Sequence, residues 1–246
     1  SFLGLGNSSY GETLFLAGRQ SCAMNLGLKI LLAAGITLPM IGQASPAVLA
    51  GQLHDATKWN LVESTVDGIS IAEKDIEGVA VKAVMVTQAI DIDPETLLEV
   101  IEDIANYDSF LSSAPGSEAF LLQSNNDHII GYQYVEVPLI ADRVYAFKMF
   151  RPDTAETRVD WELIPQSLSG SFSINKRSGV YIDIGVGSWS MYKRPDGKYD
   201  VSYRLVMDPG GWIPDSVSDY FNRVSIVGIF KDAIIETKRR GAEGNS

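Results

Sequence analysis

The side chains able to carry out acid–base, thiol or metal chemistry are few and lie far apart in the chain. There are two histidines, His54 and His128, and one cysteine, Cys22. A zinc or non-haem iron site needs several such ligands converging on one point, and a disulfide needs a second cysteine. We therefore predict no metal, no cofactor and no catalytic residue. His128, at the start of a strand-like run, is the one side chain that an acid–base mechanism could use.

A larger set of side chains is suited to binding. Aromatic and aliphatic residues alternate with polar ones along several runs, which is typical of strands with one buried face. Alone, such rows indicate a packed core; around an unfilled space, they indicate an apolar pocket in which tyrosine hydroxyls anchor a polar group. The candidate ligand-binding residues are Tyr132, Tyr134, Arg143, Tyr145, Phe147, Trp161, Ile184, Tyr203, Leu205, Phe221 and Val224.

The charged residues argue against nucleic acid as a partner. The chain has 20 Lys and Arg against 31 Asp and Glu, a net charge of −11. Its one basic cluster is Lys238-Arg239-Arg240, whereas binding to phosphates needs a basic face.

Two arginines could lie near a pocket. Arg204, between Tyr203 and Leu205, is predicted to point away from any pocket, and Arg143 is expected at the mouth of the pocket.

The elements that would position these residues can be read from turn and capping signals. Trp59 to Val66 and Ile69 to Lys74 flank Asp67-Gly68 and predict a hairpin. Asp93-Pro94 is a helix start signal, with the helix running to about Asn106. Alternating runs separated by turns predict the other strands, and a 3.6-residue period predicts a helix from about Ile213 to Arg239. The predicted strands beyond the hairpin are 79–90, 118–123, 128–137, 143–150, 157–165, 179–192 and 198–207.

The first 44 residues carry a targeting signal. A short basic segment, Met24 to Lys29, precedes the apolar run Ile30 to Ile41 and a small-residue site ending at Ala44, which is the pattern of a secretory signal peptide. The run is shorter than the roughly 20 residues of a membrane-spanning helix. We predict an upstream extension over 1–23, a signal peptide over 24–44, a ligand-binding domain over 45–240 and a disordered tail over 241–246. We also predict that the protein is secreted, to a bacterial periplasm.

Three short motifs resemble the START superfamily of helix-grip lipid-binding proteins, within the SRPBCC or Bet v 1-like group. Trp59 to Glu63 with Asp67-Gly68-Ile69 is similar to its opening hairpin. Val137-Pro138 before Asp142-Arg143 is similar to its proline bend, although the family order is Arg-Asp. Asp208-Pro209-Gly210-Gly211-Trp212-Ile213-Pro214 matches its entrance to the last helix. The resemblance covers about residues 50–240 and implies an α+β helix-grip fold, a curved antiparallel sheet wrapped around a long C-terminal helix.

The resemblance implies non-catalytic binding, with or without transfer, of a lipid or other hydrophobic ligand in an internal cavity, by a monomer that contacts membranes transiently. One alternative is an enzyme like the polyketide cyclases and dehydratases, working in the same cavity. Such an enzyme needs a histidine or carboxylate inside the cavity. Another is a module that binds an envelope protein through an exposed Trp212.

Overall fold

A computed structural model describes residues 45–114, 116–137, 140–154, 157–170, 172, 178–211, 213 and 225–244. The predicted signal peptide, Trp212, Phe221 and Val224 lie outside these residues. The described helices are α1 Pro46–His54, α2 Pro94–Glu102, α3 Tyr107–Phe110, α4 Gln166–Ser169 and α5 Ser225–Gly244, with a 3-10 turn at Ile104–Asn106. The strands are β1 Asn60–Ser64, β2 Ser70–Lys74, β3 Ala83–Ile90, β4 Glu118–Ser124, β5 Ile129–Val135, β6 Arg143–Phe150, β7 Thr157–Ile164, β8 Val180–Tyr181, β9 Ile184–Lys193 and β10 Tyr199–Asp208.

The strands form one curved sheet in the order β1-β2-β3-β10-β9-β7-β6-β5-β4, with every neighbour in this order antiparallel. The two-residue strand β8 lies off this path and pairs in parallel with β6. The helices α2 and α5 pack on one face, here called the inner face, and α1 packs on the other, the outer face. This confirms the predicted α+β helix-grip arrangement. Among the described helices, none is both long and apolar enough to span a membrane.

Most predicted elements appear at or within a few residues of the expected bounds, and three differ. Strand β3 begins at Ala83 instead of residue 79. The predicted strand 179–192 is divided into β8 and β9 at Ile182-Asp183. Helix α5 continues to Gly244 through residues that we assigned to a disordered tail. An ion pair one helical turn apart, between Arg239 and Glu243 (2.7 Å), supports this extra turn.

The core on the inner face is built on stacked aromatic rings. Trp189 of β9 stacks on Tyr203 of β10, with 4.2 Å between ring centroids. Phe230 of α5 lies with its ring centroid 5.6 Å from that of Trp189 and nearly parallel to it. Phe230 is fully buried, and Ile226 and Ala233 on the same side of α5 are buried with it. The sheet therefore holds α5 through a continuous aromatic contact at its centre.

The outer face binds α1 through apolar and polar contacts. Leu49 and Leu53 of α1 are buried against Val186 and Val206 of the sheet. The ammonium group of Lys74, although buried, donates hydrogen bonds to the carbonyl oxygens of Gln52 (2.7 Å) and Asp55 (2.8 Å) at the end of α1. A cation at a helix C-terminus is favourable because it neutralises the exposed carbonyl dipoles. Lys74 thus fixes the C-terminal end of α1 to the sheet.

An ion network joins α5 to the segment after α2. The buried carboxylate of Glu236 accepts hydrogen bonds from Arg239 and Arg240, each at 2.7 Å, and Arg240 also donates to Asp103 (2.7 Å). The hydrogen bond from Arg239, with that from Arg240, lowers the pKa of Glu236 from 4.5 to about 2 despite its burial. The network therefore requires an ionised Glu236.

A pH dependence of stability follows. Because the folded pKa of Glu236 is below the unfolded value, its contribution is present above pH 4.5 and is lost as the pH falls towards about 2. We expect Glu236→Gln to lower the free energy of unfolding by about 1–2 kcal/mol at neutral pH and by progressively less in acid. Denaturant unfolding of both proteins across this range measures the difference. A pH-independent difference would contradict the prediction, and Glu243→Gln, at an exposed position, is the matched control.

Candidate ligand-binding site

A cavity of about 150 Å³ lies between the inner face of the sheet and α5. We call it the inner cavity. Its wall is mostly apolar and is made by strands β5, β6, β7, β9 and β10, by α2, α3 and the loop after α3, and by α5. The described lining residues are Val100, Ile101, Tyr107, Phe110, Leu111, Ala114, Ser117, Gln133, Val135, Glu136, Arg143, Tyr145, Phe147, Met149, Trp161, Ile182, Trp189, Tyr203, Leu205, Met207, Pro209, Ser225, Ile226, Ile229 and Ala233.

Two glycines allow large aromatic rings to lie flat along the cavity wall. Gly187 of β9 pairs with Trp161 of β7, and a Cβ atom at residue 187 would lie only 2.3 Å from the indole ring. Gly131 of β5 pairs with Phe147 of β6 in the same way, with 2.5 Å to the phenyl ring. Any larger side chain at either glycine would push the ring away from the sheet. The two glycines thus determine the positions of the Trp161 and Phe147 rings in the cavity wall.

Two polar side chains of the wall, on adjacent strands, are hydrogen-bonded to each other. The Tyr145 hydroxyl donates to Oε1 of Gln133 across β5 and β6, at 2.8 Å. Burial raises the pKa of the phenols of Tyr145, Tyr107 and Tyr203 well above the ordinary value of 10. These phenols therefore stay neutral, and Tyr145 acts as a donor that holds the Gln133 amide in place.

Arg143 is buried, and its hydrogen bonds go to backbone carbonyl groups. Nε donates to the carbonyl oxygen of Pro209 at 2.7 Å, Nη2 donates to that of Gly210 at 3.2 Å, and Nη1 donates to that of Ala141. Burial lowers the pKa of the guanidinium, but arginine remains charged in proteins. Arg143 thus ties the start of β6 to the turn after β10, where Gly210 and Gly211 adopt positive φ.

The loop after α3 is held against α5. Asp232 of α5 accepts hydrogen bonds from the Ser112 hydroxyl (3.0 Å) and from the backbone N–H of Ser113 (2.8 Å). At Gly228, one turn earlier on α5, a Cβ atom would lie 2.4 Å from Cβ of Ser113. The helix and the loop therefore touch closely, and the loop covers this side of the inner cavity.

Comparison with known proteins gives matches at the level of structure. No protein-family model and no curated protein sequence matches the chain. A STAR-related lipid transfer protein of Xanthomonas axonopodis (residues 25–204) is similar with a TM-score of 0.58 and 16% identity, covering 71% of this chain and 96% of that one. Human StAR-related lipid transfer protein 5 has a TM-score of 0.62 and 14% identity, covering 82% and 98%. Human STARD10 has a TM-score of 0.58 and 15% identity, covering 80% and 84%.

The chain has a START-like helix-grip fold. In this START-like fold, six of the predicted ligand-binding residues lie together in the wall of the inner cavity. Contact of these six with a ligand stays a prediction. They are Arg143, Tyr145, Phe147, Trp161, Tyr203 and Leu205.

Three predicted residues lie elsewhere, and their assignment to the cavity is corrected. Tyr132 and Tyr134 point to the outer face, because the register of β5 on β6 puts Gln133 beside Tyr145 on the inner face. The Tyr134 hydroxyl donates to Asp142 there, at 2.5 Å. Ile184 packs against the α1 contacts on the outer face, because the break between β8 and β9 shifts the alternation by one residue.

Other residues of the site could not be recognised from alternation alone. Trp189 shares its face of the strand with Gly185 and Gly187, so its run shows no row of large residues. Gln133 likewise shares its face with Gly131. Tyr107 and Phe110 come from the short helix α3.

The two histidines are not part of the described lining: His54 of α1 lies 3.5 Å from Asp160 on the outer face, and His128 is in the turn before β5. Arg204 bonds Ser190 on the outer face (3.0 Å), as predicted.

Proposed function

We propose that this protein binds a lipid or another hydrophobic small molecule in the inner cavity, without chemical change, and carries it between membranes or proteins. The observation that supports the proposal is the aromatic and aliphatic cavity between the sheet and α5. Burial of apolar ligand surface there contributes about 25 cal/mol per Å² before the costs of association. Two of the three solved structures of similar fold described above, the Xanthomonas axonopodis protein and human protein 5, are named as lipid transfer proteins.

The size of the inner cavity limits what it can hold without rearrangement. An apolar cavity of about 150 Å³ accommodates a benzene-sized group, whereas pockets for drug-sized ligands have volumes of about 300–1,000 Å³. The inner cavity alone therefore suits a compact ring system or part of an acyl chain. A longer ligand would extend past the loop after α3 or displace it.

We further propose that the protein acts outside the cytoplasm. The support is the segment Met24 to Ala44, which has the pattern of a cleaved signal peptide. Mass spectrometry of the secreted protein checks this location, since cleavage after Ala44 leaves Ser45 as the first residue. Lipid extraction of the same sample identifies any ligand that co-purifies.

Filling the cavity should weaken ligand binding. Ala233 of α5 is buried and lines the inner cavity, so Ala233→Leu places a branched side chain in the space meant for ligand. We expect binding of N-phenyl-1-naphthylamine, a neutral probe that fluoresces in apolar surroundings, to weaken at least about tenfold while the circular dichroism spectrum is kept.

The matched control is Ala242→Leu, the same change at an exposed position near the end of α5. It should bind the probe as the wild type does. A folded Ala233→Leu protein with unchanged probe binding would show that the inner cavity is not the binding site, and absence of any binding by the wild type would refute the proposed function.

A further inference from the structure

A second pocket, of about 200 Å³, lies on the other side of the loop after α3. We call it the outer pocket. Five residues line both the outer pocket and the inner cavity, so the two spaces share a wall. Apart from these five, the outer pocket is lined by Asp108, Ser112, Gly116 and Ala119, of which only Ala119 is buried. The shared residues are Tyr107, Leu111, Ala114, Ser117 and Gln133.

The shared wall carries two polar side chains with unused hydrogen-bonding capacity. Gln133 accepts from Tyr145 through Oε1, and its Nε2 group has no hydrogen-bond partner among the described residues. Ser117 has a buried Oγ atom that also lacks a partner in the described part of the chain. A buried polar atom without a partner is unfavourable because it has lost its hydrogen bonds to water, and Ser117 Oγ is such an atom. A ligand atom that reached this wall and bonded to Ser117 would remove that penalty, and the half-buried Gln133 amide offers a second hydrogen bond.

We propose that the inner cavity and the outer pocket form one binding site for an amphiphile with an uncharged oxygen group, a hydroxyl or a carbonyl, held at Gln133 and Ser117. This inference rests on the proposed function and specifies its ligand class. The Gln133 amide donates to the ligand oxygen, and a ligand hydroxyl can donate in turn to Ser117. The apolar part of the ligand lies on the aromatic wall of the inner cavity, and the polar end faces the outer pocket.

The charges near this wall favour a neutral head over an anionic one. Among the residues that the structure describes, Asp108 is the one charged residue that lines the outer pocket. Arg143 could attract an anion from the inner cavity, but three of its N–H groups are already bonded to backbone carbonyls. A carboxylate ligand at Gln133 would lose its hydration shell and would approach the negative charge of Asp108. No ion pair with a free cationic side chain would offset these two costs.

Three probes with the same ring system test this assignment: naphthalene, 2-naphthol and 2-naphthoate, titrated at neutral pH by isothermal calorimetry. We expect the wild type to bind 2-naphthol about tenfold more tightly than naphthalene, since one satisfied hydrogen-bonding site is worth about that factor, and 2-naphthoate most weakly. Gln133→Leu should remove the preference for 2-naphthol over naphthalene. Gln123→Leu, the same change at an exposed position of β4, should keep the preference.

The outcomes separate this inference from the proposed function. Equal binding of naphthalene and 2-naphthol by the wild type overturns the neutral-head assignment but leaves an apolar site. Tightest binding of 2-naphthoate, retained in Gln133→Leu, also overturns it and identifies an anion site. Failure of all three probes counts against the proposed function itself. If Gln133→Leu does not fold, Tyr145→Phe gives the second test, because loss of the bond that orients the amide should reduce the preference for 2-naphthol.

Discussion

The Gly187→Ala variant is expected to unfold with a free energy about 2–3 kcal/mol below that of the wild type. A Cβ atom at this position would lie 2.3–2.5 Å from three atoms of the Trp161 indole ring, and the ring cannot retreat without entering the inner cavity. The strand would otherwise gain from the change, since glycine is disfavoured in strands. Overlap with Trp161 outweighs that gain because the ring is large, rigid and buried.

The displaced indole should also reduce ligand binding. Trp161 is buried in the wall of the inner cavity, so any movement away from β9 takes volume from the ligand. Denaturant unfolding measures the stability change, and probe titration measures the loss of binding. Gly51→Ala in α1 is the matched control, because nothing lies within 4 Å of a Cβ atom there; it should stabilise the protein by about 0.5–1 kcal/mol. Equal effects of the two substitutions would contradict the packing argument.

The fold was predictable because its signals are local. Asp67-Gly68 between two alternating runs predicts the β1–β2 hairpin, and Asp93-Pro94 predicts the start of α2. The observed hairpin and helix follow these signals: Gly68 has positive φ, and the Asp93 carboxylate accepts from the Thr96 backbone N–H at 2.9 Å. Turn and capping chemistry acts over three or four residues, so it can be recognised without knowledge of the rest of the chain.

The faces of the strands were harder to predict because they depend on register. Rows of large residues indicate a buried face, but both faces of this sheet are partly covered, so Tyr132 and Ile184 are buried or half-buried on the outer side. One-residue shifts exchange the faces completely. The inner positions of β5 and β9 carry glycines opposite aromatic rings, a pattern that is visible only when Gly131 is paired with Phe147 and Gly187 with Trp161.

Arg143 offers the strongest test of how the turn before the last helix is held. Its guanidinium bonds three carbonyl groups, two of them in the turn after β10. Arg143→Met should lower the free energy of unfolding by about 3 kcal/mol, because it leaves the carbonyl groups of buried Pro209 and half-buried Gly210 without these charged donors. Arg143→Lys should recover part of this loss only, since an ammonium group cannot reproduce the planar fork that bonds Pro209 and Gly210 together.

Lys148→Met on the same strand is the control, because Lys148 lies on the outer face, 40% exposed and 3.8 Å from Glu162, and a surface ion pair contributes little. All three variants are compared with the wild type by denaturant unfolding and by titration with the neutral probe. If Arg143 bridges β6 and the turn after β10, the Arg143→Met protein should be less stable than the wild type but should still bind the probe at saturating concentrations. An Arg143→Met protein of unchanged stability that no longer binds would instead assign Arg143 to the ligand, and the connection between β6 and the turn after β10 would need another explanation.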